Sequence, residues 1–265
     1  SLKSKAISLV LAGGLIAAIL GPEVSRYSFD FFPDYIYLAT YLFAAIIQII
    51  NFLILIFINI KKPIPSKKIN RPLGDVLLQK NLIIAILAAA VGYSLMSFIM
   101  TATPLQIVNV CKLGDSASAT VIQWHVIAMF APSFFTGTII NSLGNRKVMM
   151  IGLFLYAFSI SFTIIGQTIE HFWIALFLCG LGWNFLYVGG SDIIAKSALP
   201  EERAKVQGVT DFIIFVFVAT GSFLAGALHS TLGWEIMMFY TSIPIFILFM
   251  SIIIINPDGG IEARY

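Results

Sequence analysis

Charge is what this sequence has least of. Only 11% of its 265 residues are charged, 16 basic and 13 acidic, while 59% are hydrophobic and the mean hydropathy is +0.95. A water-soluble domain carries roughly a quarter charged residues because its surface must be hydrated. Twenty-nine charges cannot cover a globule of this size, so a soluble fold is excluded and lipid becomes the expected solvent. Cysteine is nearly absent. Cys111 and Cys179 give neither a disulfide framework nor metal-ligand spacing and read as inert thiols. No metal or cofactor is expected. No cleavable signal is visible, and the chain opens SLKSKAIS without methionine, so a fragment of a longer protein is expected.

Long apolar runs fill the space that charge leaves empty. A membrane helix needs roughly 20 mostly apolar residues, and eight segments qualify, at about 6–24, 36–58, 82–104, 118–140, 148–166, 172–194, 208–228 and 236–255. They follow one another too closely for one anchor plus a soluble domain, so the expected class is an all-α polytopic membrane protein. Basic residues are retained on the cytoplasmic side. Lys3, Lys5, Lys61, Lys62, Lys67, Lys68, Arg71, Lys80, Arg146, Lys147, Lys196, Arg203, Lys205 and Arg264 fall on one set of loops, and only Arg26 and Lys112 on the other. Both ends are therefore expected in the cytoplasm, and the net charge of +3 reports topology and not nucleic-acid binding. Residues 59–80, with three prolines and six basic residues, read as an extended linker between a unit at 1–58 and a unit at 81–265. Pro200-Glu201-Glu202 suits a helix start and predicts a short surface helix before the seventh span.

One stretch is unusual. Residues 179–192, CGLGWNFLYVGGSD, hold four glycines inside an apolar run. A phosphate loop is excluded: Phe185 stands where a dinucleotide fingerprint needs glycine, no Lys-Ser/Thr follows, and no strand precedes. At about 1.5 Å per residue Asn184 lies near the membrane midplane. Gly180, Asn184, Tyr187 and Ser191 share one helix face that lipid would not tolerate. The third span carries a matching stripe of Ser94, Ser97, Thr101 and Pro104, with Tyr93 beside it. The two stripes predict a central cavity lined by Tyr93, Ser97, Asn184 and Tyr187; the alternative is that their polar groups stitch helices together. Gln123 is a further candidate for solute contact. His125, the one histidine inside a predicted span, is either a proton carrier or a neutral ring bonded to a carbonyl. Asp192 and Asp211 read as interfacial charges paired with Arg203 and Lys205, and Trp183 as a lipid or core contact. Gly13, Ala17 and Gly21 form a small stripe suited to close helix packing.

Three motifs resemble the major facilitator superfamily. Gly137-Thr-Ile-Ile-Asn141-Ser-Leu-Gly144-Asn-Arg146-Lys147 is similar to the family's cytoplasmic loop motif. Gly21-Pro22 with Gly13 is similar to the glycine–proline motif of the fifth helix, and GWNFLYVGGSDII with LPEERAKVQGVTDF is similar to the tenth-to-eleventh helix region of a bacterial subgroup. The resemblance implies a 6+6 bundle in which the first two spans are helices five and six, the last six form the second half, and four N-terminal helices are missing from this chain. It further implies a multi-pass protein of the inner membrane that moves a small-molecule solute by alternating access, with the two halves rocking around a midplane site and protons as a candidate coupled ion. Asn141, Ser142 and Asn145 depart from the loop motif, which predicts a weak gating lock in this half. Ala17 and residues 23–26 replace glycines of the fifth-helix motif, which argues against an antiporter. No basic residue lies inside a span, so a neutral, zwitterionic or amphipathic solute is favoured over a small anion. Two other readings stay open: a non-transporting sensor or scaffold with a transporter fold, and an intramembrane enzyme. The enzyme would need His125 at the depth of Asp192 or Asp211, and the expected topology separates them.

Overall fold

The computed structural model describes residues 2–28, 31–32, 34–35, 37–59 and 72–257, with side chains from residue 13 onward. Its helices are α1 (Leu2–Ser28), α2 (Leu38–Ile56), α3 (Leu73–Leu77), α4 (Lys80–Pro104), α5 (Asp115–Phe130), α6 (Ser133–Leu143), α7 (Asn145–Ile165), α8 (Ile169–Ser197), α9 (Arg203–Leu232), α10 (Trp234–Tyr240) and α11 (Ser242–Ile255). A π-helical turn, Leu105–Val110, continues α4 past Pro104. The fold is all-α, as the apolar runs require, since a backbone in lipid must satisfy its own hydrogen bonds.

The expected eight spans are not all single helices. Among the described residues six helices are long and apolar enough to cross a membrane, and α5 with α6 makes a seventh if that pair, bent by 44°, is one span. The fourth expected span is thus broken at Ala131-Pro132. Proline has no N–H to donate and its ring crowds the preceding turn, so the helix bends there. α1 occupies the first expected position over 27 residues. Two further expectations change. The linker contains the short helix α3, entered through Pro72, with Val76 buried; residues 60–71, including Lys61, Lys62, Lys67, Lys68 and Arg71, lie outside the described residues, as do Arg264 and the side chains of Lys3 and Lys5. The surface helix expected at Pro200 does not form separately: residues 200–202 are a turn, and α9 runs unbroken from Arg203 to Leu232.

α8 is the axis of the bundle, with α4, α5 and α7 packed along it and α9 lying on α4. Its glycines explain the packing. A Cβ at Gly180 would stand 2.5 Å from the His125 carbonyl on α5, one at Gly190 2.7 Å from the Ala85 carbonyl on α4, and one at Gly182 3.0 Å from the Gly152 carbonyl on α7. The glycine-rich stretch is therefore a three-sided seam of close helix contact. The small stripe on α1 behaves otherwise. A Cβ at Gly13 or Gly21 would meet no atom within 4 Å, and Ala17 is exposed. α1 instead meets α5 through its neighbouring face, where Ala18 is buried and a Cβ at Gly14 would lie 3.2 Å from Phe130. Both faces carry small residues four apart, so spacing alone did not distinguish them.

The two kinds of glycine give a direct comparison. Gly180→Ala is expected to lower stability by about 1–3 kcal/mol, because α5 and α8 must part. Gly13→Ala is expected to leave stability unchanged or slightly raised. Thermal unfolding of the two variants in detergent measures the difference, and equal melting temperatures would reject the seam.

Candidate functional site

The residues facing one another at the middle of the bundle are aromatic. Trp183 and Tyr187 are four apart on α8, so they lie on one face and stack, with ring centres 5.0 Å apart and planes within 8°. Tyr93 of α4 stands edge-on to both, at 5.3 Å from Trp183 and 5.4 Å from Tyr187. Phe215 of α9 closes one side at 5.8 Å from Tyr93, and Phe130 of α5 the other at 6.1 Å from Trp183. Trp183 is buried, Tyr93 and Tyr187 are half-buried, and Phe215 is 53% exposed. The cluster thus runs from a buried ring on α8 to an exposed one on α9. Edge-to-face and stacked pairs of this kind each contribute about 0.5–1.5 kcal/mol beyond simple burial, so the rings form a stiff apolar platform. Trp183 is a core contact, as its sequence context suggests, and its spacing to Tyr187 adds the stack.

Among the described residues, the polar stripes make hydrogen bonds to neighbouring helices. Asn184 is fully buried, and its amide is used up on the broken fourth span. Its Nδ2 donates to the Met129 carbonyl at 2.7 Å and to Ser133 Oγ at 2.6 Å, and its Oδ1 accepts from Thr136 Oγ1. The break frees the carbonyls of the last turn of α5, and Asn184 takes one of them. Ser97 pairs with Ser222 of α9, and Ser94 Oγ donates to the Phe217 carbonyl at 2.8 Å. At about 100° per residue Asn184 sits some 60° around α8 from Tyr187, enough to turn one toward α5–α6 and the other toward α4 and α9. These bonds are the helix stitching that stood as the alternative reading of the stripes.

The remaining candidates also serve contacts between helices. Gln123 Nε2 donates to the Ile19 carbonyl of α1 at 3.1 Å, and Arg26 of α1 donates to Thr120 of α5 at 3.1 Å while pairing with Glu23. His125 is fully buried, its Nδ1 2.7 Å from the Leu176 carbonyl. A carbonyl can only accept, so Nδ1 carries the proton. In the loop motif, Gly144 has a φ of 84° and turns the chain from α6 into α7. Gly137, Asn141 and Lys147 are exposed, and Arg146 donates to the Ile253 carbonyl at 3.3 Å. Asn145, read as a weakening departure, donates to Asp192 at 2.9 Å, and Lys196 pairs with the same carboxylate. Asp192 is thus held by Lys196 and not by Arg203 or Lys205.

A second polar network sits at the opposite end of the bundle and was not anticipated. His229 Nε2 is 2.8 Å from Gln106 Oε1, Gln106 Nε2 donates to Gln167 Oε1 at 2.7 Å, and Gln167 Nε2 donates to Glu235 at 3.4 Å. It joins the π-helical turn, the α7–α8 connection, α9 and α10. Its members are far apart in sequence and none stands in a recognisable motif.

The satisfied state of Asn184 makes its role measurable. Asn184→Ala leaves the Met129 carbonyl buried and unpaired, so stability is expected to fall by about 1–3 kcal/mol. Thermal unfolding would register the loss directly. Unchanged stability would return Asn184 to the solute site.

The comparisons agree with this architecture. The Major Facilitator Superfamily profile matches residues 108–261. The riboflavin transporter RfnT of Brucella anthropi is 40% identical over 238 residues, covering 88% of this chain and 60% of that protein. The MFS-type transporter YdeG of Bacillus subtilis, itself uncharacterized, is 35% identical over 153 residues, covering 56% of this chain and 35% of that protein. The chain thus spans about 60% of the length of the riboflavin transporter. These relatives are transporters and not enzymes. With its array of apolar spans, this multi-pass membrane protein belongs to the major facilitator superfamily.

Proposed function

We propose that this chain is the solute-binding C-terminal portion of an inner-membrane transporter for a planar, uncharged heteroaromatic solute of the flavin type. One observation carries the reading: the platform of Trp183, Tyr187 and Tyr93, with Trp183 buried and the two tyrosines half-buried. A flat ring system gains most from offset or edge contacts with other rings. The relative that shares 40% identity is named for riboflavin, which has such a ring system. The lack of any basic residue among the platform's members suits an uncharged solute.

In this reading α1 and α2 belong to the first half of a 6+6 bundle and residues 81–265 form the second. The first four helices lie outside this chain, and the linker and both chain ends face the cytoplasm. The contacts of α1 with α5, through Gln123, Arg26 and Phe130, are then the surface on which the two halves rock. Asn145, Asp192 and Lys196 tie α7 to α8 on the cytoplasmic side of the second half. His125 fixes α5 to α8 and shuttles no proton. The driving force is a gradient of the solute itself or of a coupled ion.

The test is uptake of labelled riboflavin by the full-length protein in proteoliposomes. Saturable uptake is expected. Trp183→Ala and Tyr187→Ala should each raise the half-saturation concentration by roughly 2–12-fold, the equivalent of one lost aromatic pair. The 265-residue chain alone should give none, since alternating access needs both halves. Absence of uptake by the full-length protein, or uptake indifferent to both substitutions, overturns the reading.

A further inference from the structure

We propose that Asp211 is a charge filter at the aromatic platform, admitting uncharged and cationic solutes and rejecting anionic ones. The inference rests on the transport reading above. Asp211 lies within membrane-spanning α9, four residues before Phe215, so the two share a face about one helical turn apart. Phe215 touches Tyr93, which carries that face to the rim of the platform. Asp211 is partly exposed.

Its surroundings leave the charge uncompensated. The expected partners, Arg203 and Lys205, are exposed, and no ion pair joins Asp211 to any described residue. Its hydrogen bond comes from a neutral donor, Gln207 Nε2 at 2.7 Å. An amide orients a carboxylate without cancelling its field. An ionised group within a span is costly, and one held by a neutral amide beside a ring platform is placed to act on what the platform receives. Its remaining lone pairs can accept from hydroxyl or imide N–H groups of a solute. A second negative charge on a solute at the platform is repelled, disfavouring the anion by roughly tenfold once water in the site screens the interaction.

The filter is tested in the same proteoliposomes by competition between the neutral flavin and its 5′-phosphate monoester, which has the same ring and adds about two negative charges near pH 7. Wild type is expected to be inhibited at least tenfold more weakly by the phosphate. Asp211→Asn should narrow that gap to about twofold, while Asp211→Glu, which keeps the charge, should preserve it. As a measurement that needs no variant, raising ionic strength from about 0.05 to 0.5 M should shrink the wild-type gap, because salt screens charge and leaves size exclusion alone. Equal inhibition of wild type by both compounds overturns the filter, as does a gap unmoved by Asp211→Asn or by salt, and in those cases the transport reading stands. Failure of wild type to take up the neutral flavin overturns the transport reading and the filter together.

Discussion

The approach of three helices onto the glycines of α8 is the constraint on which the rest of the structure depends. At Gly180, Gly182 and Gly190 the space that a Cβ would fill is taken by carbonyl oxygens of α5, α7 and α4. In lipid there is no hydrophobic difference between helix and solvent to hold a bundle together, so close van der Waals contact must do it. A seam on three sides leaves α8 little freedom to rotate. The side chains between its glycines, Trp183, Asn184 and Tyr187, are then aimed by the backbone. The aromatic platform and the clamp on the broken span are two consequences of one packing arrangement.

Polar groups in this bundle are mostly spent on the protein itself. Asn184 serves the break between α5 and α6, Ser97 pairs with Ser222, and Gln106 links His229 to Gln167. An unpaired polar group away from water is penalised more than a paired one is rewarded. Evolution therefore fills such sites with mutual partners. This inverts the usual expectation that a polar stripe inside a membrane marks a solute path. Here Asn184, Ser94 and Ser97 bond to neighbouring helices.

Burial is distributed unevenly. α4 and α8 are buried over most of their length, whereas α2 buries Ala39 alone and α9 exposes a broad face that includes Phe212, Phe215 and Val216. The ring cluster spans both kinds of surroundings, with Trp183 buried and Phe215 exposed.

Composition and hydrophobic runs by themselves determined the class of this protein. With 11% charged residues no soluble surface could be built, and the positions of the apolar runs matched helices across the described chain. The loop and glycine–proline motifs were enough to indicate the family. The glycines of the 179–192 stretch were legible as unusual, but whether they opened a cavity or admitted neighbouring helices depended on contacts between segments distant in sequence. The same held for Asn184, where periodicity gave the face but not the carbonyl waiting on it, and for α1, where two stripes of small residues were equivalent until α5 packed on one. Only the tertiary structure decided those cases. A helical repeat specifies which side chains lie together, while the partner they meet is set by the crossing of helices that the repeat does not encode.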